Sequence, residues 1–176
     1  MNKFEKISKE QFFEDCWSVF GSALQDCNSP YMPKEKTDAW LDKLSIPKRA
    51  TMYSAGYDIY APYDITILPR QSIKVPTGIR VLLDEDKFLA IYPRSGLGFK
   101  YKMQLYNSVG IIDSDYAYSD NEGHIWAKFY NDSPDGKTIT IKQGEAMCQG
   151  IIQQYFTTID DVADGVRNGG FGSTGK

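Results

Sequence analysis

A chain of 176 residues is long enough for one domain with a sizeable core, and 41% hydrophobic with 24% charged residues excludes a disordered or fibrous protein. The net charge of −3 excludes a general electrostatic grip on nucleic acid backbones, so a small anionic ligand needs a local basic site. No apolar run approaches a membrane span, and the N-terminus MNKFEKISKEQFFED lacks the apolar stretch of a signal peptide. The three cysteines, Cys16, Cys27 and Cys148, fit no zinc spacing and are expected as free thiols of a cytoplasmic protein.

The elements fall in two groups. Residues 8–25 predict a helix: Ser8 can cap it, Gln11 sits where a capping box needs it, and Phe13, Cys16, Trp17, Phe20 and Leu24 share a face. NSPYMPKEK, residues 28–36, breaks the pattern, and a second short helical turn is expected around 38–44. From Ile46 onward short apolar runs alternate with turns. DITILP, SIKVPTGIRVLL, KFLAIYP, HIWAKFYN and TITIK read as strands. Pro76 interrupts the alternation of Ile73, Val75, Ile79, Val81 and Leu83, which suggests an edge or bulge. Gly136-Lys137 predicts a hairpin between the last two runs. Many short strands imply a sandwich, barrel or jelly roll, and the glycine-rich last residues read as a flexible tail.

Three segments suit phosphate. Pro93-Arg94-Ser95-Gly96-Leu97-Gly98 follows the strand KFLAIYP, forces a sharp turn and adds a guanidinium fork. Arg167-Asn168-Gly169-Gly170-Phe171-Gly172-Ser173-Thr174-Gly175 combines backbone freedom with hydroxyl donors, and its lone Phe171 can cover a ring-shaped ligand. Gln143-Gly144-Glu145 makes a tight turn before a strand bearing Gln149. Two carboxylates, Asp113 and Asp115, follow the apolar run at 110–112, where one could activate water. Asp58 could reach Mg²⁺ through water. His124 is the single histidine, and no serine or cysteine beside it suggests a nucleophile.

In order, these segments resemble the five motifs of the trimeric dUTPase family. The first is 55–61 (AGYDIYA), the second 93–98, the third 107–116, the fourth 143–149 and the fifth 167–175; together they span roughly residues 44–176. The resemblance implies a mostly β, jelly-roll or barrel core over 44–164, an N-terminal helical extension over 1–43, and a tail over 165–176 that completes the site. It implies hydrolysis of dUTP to dUMP and pyrophosphate with Mg²⁺, in a homotrimer whose sites are shared between subunits. Asp113 would activate the water that attacks the α-phosphate. Tyr116 would stack under the deoxyribose, and Asn107 with the hairpin backbone at Gly110 would read the uracil edge. Arg94, Ser95, Gly96 and Gln149 would hold the phosphates. Arg167, Ser173 and Thr174 would clamp the γ-phosphate, with Phe171 over the uracil and Gly172 in the wrapping loop. Asp58 would meet the metal through water.

Two departures from the family pattern stand out. Asn168 alone separates Arg167 from the Gly pair, and residues 117–122 lie between Tyr116 and Gly123. Two alternatives stay open: a dCTP deaminase of the same fold, for which Glu122 could move protons, and a binding or signalling protein using the helix face of Phe13, Trp17 and Phe20. No nucleic acid or membrane partner is expected.

Overall fold

Alternating apolar residues suit antiparallel sheets with one buried face, and the computed structural model of the chain is built mainly of such sheets. It describes residues 1–24, 33–165 and 167, with only the backbone described at 22–24. Cys27 therefore lies outside the described residues.

The chain opens with strand β1 (Lys3–Lys6), which the sequence does not announce. It is followed by helix α1 (Lys9–Leu24) and helix α2 (Lys34–Lys43). Ser8 caps α1 as expected, its Oγ accepting from the Gln11 N–H at 3.1 Å. The buried stripe is rotated from the expected one. Phe12 and Cys16 are fully buried while Trp17 is 39% exposed, so Phe12 rather than Phe13 leads the packed face. Helix α2 starts earlier than expected because Pro33 occupies its N-cap, where the missing N–H costs nothing.

The strands follow as β2 (Lys48–Arg49), β3 (Tyr57–Tyr60), β4 (Ile65–Ile67), β5 (Ser72–Pro76), β6 (Ile79–Leu82) and β7 (Lys87–Pro93). Then come helix α3 (Ser95–Tyr101), β8 (Met103–Leu105), β9 (Gly110–Asp113), a 3-10 turn (Ser114–Tyr118), β10 (Trp126–Asn131), β11 (Ile139–Ile141) and β12 (Ala146–Gln154). The largest sheet has the order β2-β3-β12-β7-β9 and faces a second, β5-β10-β8, across the core. The pairs β11-β4 and β1-β6 complete the jelly-roll-like body. Strand β5 is an edge, as Pro76 requires. The predicted hairpin at 136–137 does not form between its flanking runs: β10 pairs with β5 and β8, whereas β11 pairs with β4. Buried Asn131 manages that switch of sheets, donating from Nδ2 to the carbonyls of Ile67 (2.9 Å) and Lys137 (2.8 Å).

The core joins Ile59, Val75, Leu89, Ile125, Phe129 and Met147 from both large sheets to Phe12 and Leu41 of the helices. Burial holds the thiols of Cys16 and Cys148 protonated, each pushed up to about 12.

Candidate active site

Strand pairing brings three of the singled-out segments together at one end of the large sheet. Gln149 of β12 lies opposite Asp58 of β3 on one side and Tyr92 of β7 on the other. Its amide Nε2 donates to the Pro93 carbonyl at 3.1 Å, which ties β12 to the start of the Arg94-Ser95-Gly96 segment. A Cβ at Gly56 would stand 2.4 Å from the Gln149 amide oxygen, so glycine there gives the amide its room. Arg94 caps α3, and its Nε faces Asp58 Oδ1 at 3.2 Å. The expected tight turn at 93–98 is thus the first turn of a helix. Ser95 and Gly96 are exposed, and a Cβ on Gly96 would meet nothing within 4 Å.

A second cluster forms around β9. The chain turns sharply at Ser108 (φ 66°), where the Ser108 N–H donates to the Leu105 carbonyl at 3.1 Å. The hairpin so formed walls an open hollow lined by Asn107, Gly110, Ile112, Asp113, Tyr116, Trp126 and Arg167. The Asp113 side chain is 45% exposed at its rim. The Arg167 guanidinium bridges two carboxylates, hydrogen-bonding to Asp113 and, from Nε, to Asp115 Oδ1 at 2.8 Å. Tyr116 is only 6% exposed; its hydroxyl donates to the His124 carbonyl at 2.9 Å, and burial raises its pKa.

The structure therefore gathers Asp58, Arg94, Ser95, Gly96 and Gln149 in one place and Asn107, Gly110, Asp113, Tyr116 and Arg167 in another. Phe171, Gly172, Ser173 and Thr174 lie outside the described residues. Asp113 pairs with Phe88 of β7, and Gln149 with Tyr92. Four residues of strand separate those rungs, roughly 13 Å at the usual rise, and Arg94 lies farther on. Within one chain Asp113 and the phosphate cluster sit toward opposite ends of β7, whereas Gly110, on the Ile91 rung, lies toward the phosphate end.

Trp126 was not foreseen as a lining residue. Its signal was present: it shares strand parity with exposed Lys128, while Ala127 and Phe129 on the other parity are buried. A large ring on the outward parity points to something it faces.

Known proteins show the family. The dUTPase family model matches residues 42–175. A deoxyuridine 5'-triphosphate nucleotidohydrolase of Lactococcus lactis is 38% identical over 140 residues, covering 75% of this chain and 89% of that protein. The Finegoldia magna protein of the same name is 39% identical over 137 residues, covering 74% and 91%. The crystal structure of dUTPase from Streptococcus mutans aligns with a TM-score of 0.59 at 33% identity, over 64% of this chain and 88% of that one. A mutant dUTPase from phage phi11 of S. aureus, described as coordinating a structural Mg(II) ion, shares the fold at 18% identity and a TM-score of 0.56, over 69% and 91%. The chain belongs to the dUTPase family. No helix among the described residues is long and apolar enough to cross a membrane.

Proposed function

We propose that this chain hydrolyses dUTP to dUMP and pyrophosphate in the cytoplasm, with Asp113 as general base for the attacking water. The observation that carries this reading is the hollow itself. It sets a half-exposed carboxylate beside a hairpin backbone and a buried tyrosine, a base next to a wall with hydrogen-bonding edges. Asn107 and the backbone at Gly110 read the uracil edge, and Tyr116 fills the space a 2′-hydroxyl would need. Arg94, Ser95, Gly96 and Gln149 hold the phosphates, where the open space over Gly96 lets an anion approach the backbone. A triphosphate offers the Arg167 fork a more highly charged partner than the two carboxylates it bridges, which frees Asp113 for water. The segment bearing Phe171, Gly172, Ser173 and Thr174 closes over the nucleotide and excludes bulk water.

The separation of Asp113 from the phosphate cluster along β7 supports a homotrimer in which the phosphate cluster of one subunit faces the Asp113 of another. The donor set fits a magnesium ion that arrives with the triphosphate. Asp58 is the carboxylate at the phosphate cluster, and no group of three or more metal-ligating side chains occurs among the described residues. Asp58 would hold such an ion through water, and the ion supplies charge neutralisation on the phosphates.

The deaminase alternative asks Glu122 to move protons, but both its carboxylate oxygens accept hydrogen bonds from Ser8. The binding-protein alternative uses the face of Phe13, Trp17 and Phe20; α1 packs on its own chain through Phe12 and Cys16 with Phe20 against the core, which leaves Trp17 39% exposed as the part of that face a partner would meet.

Incubation with each deoxynucleoside triphosphate and UTP, with Mg²⁺ or with chelator, tests the reading. Pyrophosphate is expected from dUTP and not from dCTP, dTTP or UTP, with chelator slowing release. Ammonia from dCTP without pyrophosphate from dUTP would overturn it.

A further inference from the structure

The N-terminal extension and the residues inserted after Tyr116 meet in space through Ser8 and Glu122. Glu122 Oε2 accepts from the Ser8 N–H at 2.8 Å and Oε1 from the Ser8 hydroxyl at 2.6 Å. Ser8 in turn caps α1, so a carboxylate at the helix N-terminus also complements its dipole. Two turns into the helix, Asp15 faces His124 Nδ1 and accepts from Gln11 Nε2 at 3.1 Å. His124 is fully buried, and its Nε2 accepts from the Gly78 N–H at 2.8 Å. That leaves the proton on Nδ1, which donates to Asp15. The carbonyl of the same His124 receives the Tyr116 hydroxyl, and Asn121 Nδ2 donates to that hydroxyl at 2.9 Å. The backbone between is left-handed at Glu122 (φ 58°) and Gly123 (φ 70°), and a Cβ on Gly123 would fall 2.5 Å from the Ala117 Cα.

We infer that the N-terminal extension is a working part of the hollow: Ser8 and Asp15 are positioning residues that hold loop 117–124, through Glu122 and His124, and with it Tyr116. The inference rests on reading the hollow as the nucleoside pocket. The hydroxyl of Tyr116 has both its partners inside the loop, so the ring is placed by the loop and not by a ligand. The burial of Phe12 and Cys16 suffices to dock α1, yet two carboxylates are committed to the junction between helix and loop. Charge-assisted bonds of this kind fix geometry as well as contribute energy. A sugar-facing ring that drifts by a fraction of an ångström admits a 2′-hydroxyl, so the contacts set the preference for deoxyribose.

A double-mutant cycle in the full chain tests this, combining Asp15→Ala with Tyr116→Phe. KM and kcat for dUTP and UTP are measured, together with amide exchange across 117–124 without nucleotide. Asp15→Ala should speed exchange at Ser119, Glu122 and His124, whose N–H groups are bonded within the loop. It should cost about tenfold in dUTP-over-UTP preference, mainly through KM, with kcat within about twofold. Tyr116→Phe should lose the dUTP-over-UTP preference to the same extent, and the double variant should lose no more of it than either alone. Asp15→Asn, which still accepts from Nδ1, should restore most of the preference. If Asp15→Ala does not fold, Glu122→Gln with Ser8→Ala serves the same cycle. Multiplying effects in the double variant, or unchanged preference, overturn the inference. If the unaltered chain releases no pyrophosphate from dUTP, the functional reading fails instead, and loop exchange alone decides: unchanged exchange in Asp15→Ala overturns the coupling.

Discussion

Asp113 ends strand β9 on the rung of Phe88 and turns its carboxylate to the rim of the hollow, where Arg167 faces it. A role as proton acceptor makes one demand that shape cannot meet. Asn is nearly isosteric with Asp but cannot take the proton from water. Asp113→Asn should therefore lower kcat by roughly 10²–10⁴ with KM little changed. Steady-state kinetics on dUTP check this, and near-normal kcat would place the base elsewhere. Single residues were the most legible level of this chain. Glycine beside Arg or Ser signals phosphate chemistry locally, and the segment Arg94-Ser95-Gly96 gathers with Gln149 and Asp58. Trp126 and Asn121 were not legible, because their roles come from strand parity and from a loop closed by hydrogen bonds to distant residues.

Elements depended more on context. Strands β4 to β6, β10 and β11 follow the alternation of apolar residues that marks them in the sequence, and β7 follows its continuous apolar run. Strand β1 does not, because a single buried Phe4 stands among charged neighbours; its ladder with β6 and the cross-strand pair of Glu5 with Arg80 (2.8 Å) hold it instead. In α1 two adjacent phenylalanines offer overlapping stripes, and only the surface beneath the helix selects Phe12 over Phe13. The same helix creates a pH dependence. His124 is held neutral, its pKa lowered from 6.5 mainly by burial and further by Lys74, against the opposing pull of Asp15 and Glu122. The unfolded chain thus binds a proton that the folded one refuses. This contribution to stability is fully present above about pH 6.5 and is lost as pH falls below it. Thermal melting between pH 8 and 5 should show a falling midpoint, and His124→Asn should flatten that part of the slope. An equal slope in the variant would assign the dependence to other groups.

The arrangement least visible in the sequence belongs to the whole molecule. Local motifs cannot reveal that the phosphate cluster and Asp113 stand at opposite ends of β7, since that follows from pairing of distant strands. If subunits complete each other's sites, with the Asp113 hollow and the segment beyond Arg167 supplied by different chains, Asp113→Asn and deletion of residues 168–176 damage different contributors. Each variant alone should be nearly inactive. In randomly mixed trimers both contributors are intact in about a quarter of sites, so activity should return to about that fraction. No recovery on mixing would mean that one chain supplies both parts, and light scattering reports the assembly directly. The extension adds a constraint of another kind, centred on Gly78. Its φ is 75°, its carbonyl accepts from the Ile7 N–H, its N–H donates to His124, and a Cβ there would lie 2.8 Å from Leu44 and 2.9 Å from Leu41. Without α1 and α2 the steric bar disappears and only the backbone preference remains, which asparagine meets nearly as well as glycine. The sequence freedom of position 78 is thus conditional on the helical segment some thirty-five residues before it. A lineage that shed the extension could let Gly78 drift, and having done so could not regain the helices without first reversing that change.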